Sequence, residues 1–362
     1  MNTRYQPEGN AIVYCQGGFN TTNGKTAHGL VRFTRRYKIF GVIDDRYAGQ
    51  DAAEVLDGRA AGIPIFASLD ESLRTVSEAG QQVTYFVVGL APDGGRLDAA
   101  GRRAVKVALE NGLNVDAGLH DFLSDDAELA RLAQENGVRI RDIRKPPRRS
   151  ALHFFSGKIE SVTALKIAVL GTDSAVGKRT TAWLLVNALE AAGCRAEMIG
   201  TGQTAWLQGA PYSIVLDSLV NDFVSGEIEH AVWSAWNDRR PEVIVIEGQG
   251  SLMNPAYPGG FEILAAGRPD IVLLQHAPAR REYDGFPGYA LHPLDKQIQA
   301  IEMLSGRPVI AVTVNHEEMT PDDVRAACST ITEQTGLPAF DVLCDSAQGL
   351  VSVIAPHLEK KR

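Results

Sequence analysis

The stretch ALKIAVLGTDSAVGKRTTAWLL, residues 164–185, decides how this chain is read. An apolar run of strand character ends at Gly171, five residues intervene, Gly177 and Lys178 follow, and helical spacing of apolar residues begins. A turn of this kind points successive backbone N–H groups inward, and the helix N-terminus and Lys178 add positive potential at the same spot. A pyrophosphate is the expected guest. The competing reading is a glycine turn that only packs, but a lysine directly after the second glycine, between strand and helix, favours the cradle. The phosphate-binding set is then Gly171, Thr172, Ser174, Ala175, Val176, Gly177, Lys178, Arg179, Thr180 and Thr181. Asp173, inside the loop, is a candidate for orienting a reacting amine, or else caps the turn.

The spacing is one residue longer than GxxxxGK[ST], and it resembles the GTDxxxGKT loop of dethiobiotin synthetase and its relatives. The resemblance extends to EVIVIEGQGSL, residues 242–252, which is similar to the strand and Glu-Gly-x-Gly turn of those enzymes. The departure is Arg179. In the relatives a hydroxyl at this position holds the magnesium ion of ATP, whereas arginine offers donors only and cannot ligate a cation. Thr180 or Thr181 would take over only if the register slipped, and neighbouring helix residues point about 100° apart. A guanidinium instead neutralises phosphate oxygens directly. The loop therefore suits a phosphorylated handle that is gripped and not cleaved, with no metal required, and coenzyme A is such a ligand.

Working outward, short β-branched runs alternate with helical stretches along the whole chain, the pattern of parallel sheets with crossover helices. The first part reads as strands AIVYC, YKIFGVID, VTYFVVGL, LNVDAGL and VRIRDI. Helical segments lie between them, such as RLDAAGRRAVKVALENG with Gly112 as its stop. Pro146 and Pro147 then interrupt the alternation. The second part reads LKIAVL, AEMIG, EVIVIEG, DIVLLQH, PVIAVTVN and FDVL. The expected architecture is α/β: a Rossmann-like N-terminal domain over 1–150, a linker near 144–163, and a C-terminal doubly wound parallel sheet of P-loop NTPase type over 164–362. Ligands are expected at the carboxyl ends of its strands.

GTDSAVGKRTTA together with GKTAHGLVRF (24–33), GVIDDRYAG (41–49) and ENGLNVDAGLHDFL (110–123) resembles a bacterial family, long labelled a domain of unknown function, that is associated with D-glutamate N-acetyltransferase. The resemblance covers nearly the whole chain. It implies transfer of acetyl from acetyl-CoA, as co-substrate, to the amine of D-glutamate, in D-amino-acid catabolism. Such a transfer needs a phosphate grip, a base for the ammonium and cations for two carboxylates.

Glu247 and His276 each close a strand of the second domain and are the candidate bases; a structural role or a vestigial metal site competes for Glu247, and a packing role for His276. Arg280, Arg281 and Tyr283 follow the same strand as His276 and are candidates for clamping acceptor carboxylates. Thr201, Gln203 and Thr204 lie in a glycine-loosened loop and are candidates for contact with donor or acceptor. The N-terminal stretch also runs strand, Gly18, then Gly24, Lys25 and Thr26, but it lacks a partner like EVIVIEGQG; helix-strand packing or acceptor-side contacts are preferred there to phosphate binding, which stays open. Asp44, Asp45 and Arg46 sit where a dinucleotide reader places its ribose acid, without a GxGxxG before them, so NAD is not expected. His120 and Asp121 read as a helix-start network.

A net charge of −8 opposes a nucleic-acid or anionic-membrane surface, so the partners expected are small-molecule substrates. The four cysteines carry no CxxC pair, and none falls in the candidate loops, so neither a zinc site nor an acyl-cysteine intermediate is expected. With no apolar leader or spanning run, a cytoplasmic protein is expected, and a homo-oligomer by general frequency. Two other functions remain open: an ATP- and magnesium-dependent ligase like dethiobiotin synthetase, activating a carboxylate or carbamate, and a non-catalytic nucleotide sensor.

Overall fold

A computed structural model describes residues 6–361. Its contacts divide the chain into two units, Met1–Pro146 with Gln203–Ala210, and Pro147–Gly202 with Pro211–Arg362.

The first unit is built on six strands: β1 (Gly9–Tyr14), β2 (Tyr37–Ile43), β3 (Ile65–Phe66), β4 (Tyr85–Val88), β5 (Asn114–Ala117) and β6 (Ile140–Asp142). They lie in the order β3-β2-β1-β4-β5-β6 with every pair parallel. This is the Rossmann order, with the switch between β1 and β4. Both faces of the sheet are buried, because successive residues point to opposite sides. Ile12, Tyr14, Phe86 and Val88 enter one core, while Ala11, Val13, Tyr85 and Val87 enter the other. The helix Ala99–Glu110 begins where Asp98 accepts from the amide of Gly101 at 2.7 Å, satisfying a backbone donor that has no intrahelical partner.

The segment Gln203–Ala210 follows the second unit's strand in sequence yet folds with the first, for identifiable reasons. Leu207 is fully buried among Val13, Leu30 and Val87. Gln208 Nε2 donates to the carbonyls of Gly29 (2.8 Å) and Phe33 (2.9 Å), satisfying acceptors at the end of the helix Lys25–Arg32. Trp206 lies under the Arg36 guanidinium at 3.7 Å.

The second unit carries seven strands: β7 (Leu165–Gly171), β8 (Ala196–Gly200), β9 (Tyr212–Ser213), β10 (Val243–Glu247), β11 (Ile271–His276), β12 (Val309–Val314) and β13 (Ala339–Phe340). Their order is β13-β12-β11-β7-β10-β8-β9, again with every pair parallel. β7 is therefore central, with β11 on one side and β10 on the other. Ala168, Leu170, Ile244, Ile246, Val272 and Leu274 pack on one face against Ile228 and Val232 of the helix Asn221–Arg239 and Ile298 of the helix Leu294–Ser305. The expectation of two α/β units with parallel sheets is met. The two-residue strands β3 and β9 are additions to it. Among the described residues, no helix is long and apolar enough to cross a membrane.

Candidate functional site

The carboxyl ends of β7, β10 and β11 converge on the loop Gly171–Gly177, which opens the helix Lys178–Ala191. Gly177 has φ +107°, a left-handed conformation that side chains rarely adopt, and from it the chain turns directly into the helix. The Lys178 side chain is buried, and its Nζ donates to the carbonyl oxygens of Asp173 (2.6 Å) and Gly250 (2.8 Å). An ammonium has three donors, so one N–H remains for a ligand oxygen. Burial pulls the Lys178 pKa down to about 8, aided by the nearby Arg280 charge and resisted by Asp173 and Glu247. At Gly248 a Cβ would meet the Val169 carbonyl at 2.4 Å and the Lys178 stem at 3.1 Å, which is why the turn after β10 requires glycine.

Glu247 ends β10, almost fully buried. One carboxylate oxygen accepts from the amide of Thr201 at 2.8 Å, and the Thr201 hydroxyl donates back to the Glu247 carbonyl at 3.0 Å. Burial raises the pKa of this carboxyl; the positive charge of Arg179, the Thr201 hydrogen bond and Lys178 act in the opposite direction. Arg179 thus bears electrostatically on Glu247. The Thr181 hydroxyl is committed elsewhere, donating to the Gln275 side-chain oxygen beside Thr313.

His276 ends β11, with Nδ1 3.0 Å from the Thr172 hydroxyl. Burial lowers its pKa to about 4, so the imidazole is uncharged at neutral pH. Such a ring is a hydrogen-bonding partner for the loop and a weak proton acceptor.

Asp173 is fully buried and fully engaged. One oxygen accepts from Ser174 N (2.7 Å) and Asn254 Nδ2 (2.8 Å), the other from Arg280 Nη1 (2.8 Å) and Asp284 N (2.8 Å). With four donors on two oxygens, it braces the loop against the segments after β10 and β11. Arg280 also donates to the Ser174 carbonyl at 2.7 Å and pairs outward with Glu317. Arg281 is exposed. Tyr283 is buried, its hydroxyl 2.8 Å from His292 Nδ1, and burial raises its pKa.

The structure therefore brings Asp173, Lys178, Glu247, His276 and Arg280 together around one loop. Gln203 and Thr204 fold instead with the first unit, where the Thr204 and Thr26 hydroxyls meet at 3.0 Å and Gln203 lies against Gly118. In that unit Asp44 binds the Phe19 amide (2.9 Å) and Arg46 (2.7 Å), so this acid closes its own loop. His120 donates its amide to the Gly95 carbonyl at 2.9 Å, and Asp121 pairs with Arg96 at 3.3 Å.

Sequence reasoning missed two groups. Asn254 and Asn315 brace the loop from outside it, Asn315 Nδ2 donating to the Val176 carbonyl at 2.8 Å. At the ends of β12 and β13, His316, Asp341 and Cys344 bring ligand-capable atoms within 4.8 Å of one another, a grouping hidden by their separation in sequence. There the His316 ring contacts Asp341 at 2.6 Å, and the same carboxylate oxygen accepts from the amides of Leu343 and Cys344, each at 3.1 Å.

A parallel sheet with a lysine-bearing glycine loop on its central strand, joined to a unit of Rossmann order, defines a two-domain α/β protein of the P-loop class. The chain belongs to the DUF1611 family. The model described as domain of unknown function (DUF1611_C) P-loop domain matches residues 153–351, and the DUF1611_N Rossmann-like domain matches residues 45–146. A D-glutamate N-acetyltransferase from Tritonibacter scottomollicae is 30% identical over 74% of this chain and 80% of that protein. A protein of the same name from a Pseudoalteromonas species is 29% identical over the same shares, 74% and 80%. The crystal structure of a DUF1611 family protein from Anabaena variabilis superposes with a TM-score of 0.87 at 27% identity, covering 96% of this chain and 99% of that one.

Proposed function

We propose that this protein is an N-acetyltransferase that moves acetyl from acetyl-CoA to the amine of D-glutamate in D-amino-acid catabolism, gripping the coenzyme by its diphosphate on the loop 171–181. The observation that carries the reading is Arg179. A cation stands where ATP-cleaving relatives need a metal-binding hydroxyl, its charge bears on Glu247, and Thr181 is already committed to Gln275. Two relatives named D-glutamate N-acetyltransferase support the acceptor.

In this mechanism the loop amides and Lys178 bind phosphate oxygens, and Arg179 supplies further positive charge. Glu247 takes a proton from the acceptor ammonium, a role to which its raised pKa is suited. The amine nitrogen then attacks the thioester carbon, the C–N bond forms and the C–S bond breaks; the nitrogen gives up its second proton, the departing thiolate takes up one proton to leave as the thiol, and the proton held by Glu247 is the one released. Asp173, its two oxygens occupied by four donors, holds the loop.

Incubation of the purified protein with acetyl-CoA and D-glutamate, in the presence of a metal chelator, is expected to yield N-acetylglutamate and free thiol by mass spectrometry. Absence of both refutes the proposal. Magnesium-dependent ADP release from ATP, lost in Lys178→Ala, would instead identify the ligase reading.

A further inference from the structure

The Arg280 guanidinium is split between a buried and an exposed obligation. Its Nη1 is fixed by Asp173, whose side chain is 0% exposed, at 2.8 Å and by the Ser174 carbonyl at 2.7 Å. Its Nε and Nη2 face Glu317, whose side chain is 40% exposed. Both of these contacts, at 2.8 and 2.7 Å, fall on the same Glu317 oxygen, Oε2. A carboxylate meeting that edge squarely would give each N–H its own oxygen, the parallel two-bond geometry for which guanidinium is suited. The exposed partner is therefore the weaker and less well matched half of the clamp.

The surroundings permit an exchange without disturbing the phosphate loop. Asn315 accepts from the Glu317 amide at 2.8 Å while donating to the Val176 carbonyl at 2.8 Å, so the Glu317 backbone stays anchored if its side chain swings into water. Arg280 keeps its orientation through Asp173, which also holds the Asp284 amide at 2.8 Å. The vacated edge would lie beside Ser174, on the outer side of the loop and at the carboxyl end of β11, the side of such sheets where ligands bind.

We propose that the Nε and Nη2 edge of Arg280 is the seat of a carboxylate of the acceptor, and that Glu317 is a resident carboxylate which the ligand displaces. The assignment rests on the acetyltransferase reading for the identity of the acceptor, but the chemistry recognised, a small dicarboxylate, can be tested apart from turnover. Glu317 is then a specificity-setting residue: it keeps the guanidinium neutralised and excludes ligands too weak to replace it.

Calorimetric titration with glutarate, a dicarboxylate lacking the amine and so unable to be acetylated, tests the site directly. Glu317→Gln leaves a neutral, weaker competitor, and glutarate is expected to bind about two- to fivefold more tightly than to the unaltered protein. In turnover the KM for D-glutamate is expected to fall by the same factor with kcat unchanged. Arg280→Lys keeps a cation for Asp173 but loses the two-donor edge, and should weaken glutarate about tenfold or more. Unchanged or weaker binding in Glu317→Gln, or no glutarate binding by the unaltered protein, overturns the proposal. If glutarate behaves as expected while no N-acetylglutamate forms, the subsite stands and the proposed reaction does not.

Discussion

Lys178 and Gly250 are joined by a 2.8 Å hydrogen bond from Nζ to the carbonyl oxygen, which ties the phosphate loop to the glycine turn after β10. Together with the bond to the Asp173 carbonyl, it aims the ammonium from two fixed acceptors. The lysine is thus oriented by its own fold before any phosphate arrives, which reduces the ordering cost of binding.

That burial has a measurable consequence in proton uptake. With its pKa lowered to about 8, Lys178 is partly neutral at pH 8.5, whereas an anionic diphosphate stabilises the charged form. Binding of CoA at pH 8.5 should therefore take up a proton, and binding at pH 6.5, where the lysine is already charged, should take up little. Calorimetry in buffers of differing ionisation enthalpy reads the number directly. In Lys178→Met the uptake should vanish and CoA affinity fall by about tenfold to a hundredfold, as for loss of a charged hydrogen bond.

His276 links the same site to acid stability. Its folded pKa, lowered to about 4, lies below the unfolded value of about 6.5, so the unfolded chain binds the proton first as pH falls. Stability present above pH 6.5 is lost progressively down to about pH 4, by roughly 3 kcal/mol at most. Urea midpoints between those pH values should slope downward on acidification, and His276→Gln should flatten the slope. An equal slope in both proteins would show that the imidazole charges readily in the folded state.

The loop and the central sheet were legible because they are local. A β-branched run, a glycine-bounded turn and a helix start lie within residues 164–185, and both faces of the strands are apolar. What escaped was short or distant. β3 and β9 have two residues each, too few for any period to register. Gln203–Ala210 joins the first unit through Leu207 and Gln208, partners more than 170 positions away in the helix Lys25–Arg32 and its flank. Likewise the sequence offers Asp173 as an amine orienter or turn cap and Arg280 as a carboxylate clamp, and the fold in addition sets them on each other across 107 positions, a contact that no local pattern announces.

On the proposed reading, Arg179 separates gripping from cleaving. Arg179→Thr restores the hydroxyl of the ATP-dependent relatives, removes one cation from the cradle and relieves Glu247 of its opposing charge. CoA binding in chelator should weaken roughly tenfold, and added magnesium should recover nucleotide-diphosphate binding in the variant but not in the unaltered protein. Magnesium enhancement of equal size in both would remove the significance given to the arginine.

Glu247 is where the proposed chemistry can be isolated from binding. The carboxyl is buried and raised in pKa, and the Thr201 amide at 2.8 Å holds one of its oxygens. Glu247→Gln preserves an oxygen acceptor for that amide and the side-chain volume, so the loop and its hold on CoA should persist. A glutamine cannot take a proton from the acceptor ammonium, so kcat should fall about a hundredfold or more, the scale of general-base catalysis. The loss should shrink as pH rises toward the amine's own pKa, where the free amine needs no base. Rapid-quench measurement of N-acetylglutamate across that pH range tests the role: a loss independent of pH would make Glu247 a brace for Thr201, and the base would then have to be sought elsewhere in the site.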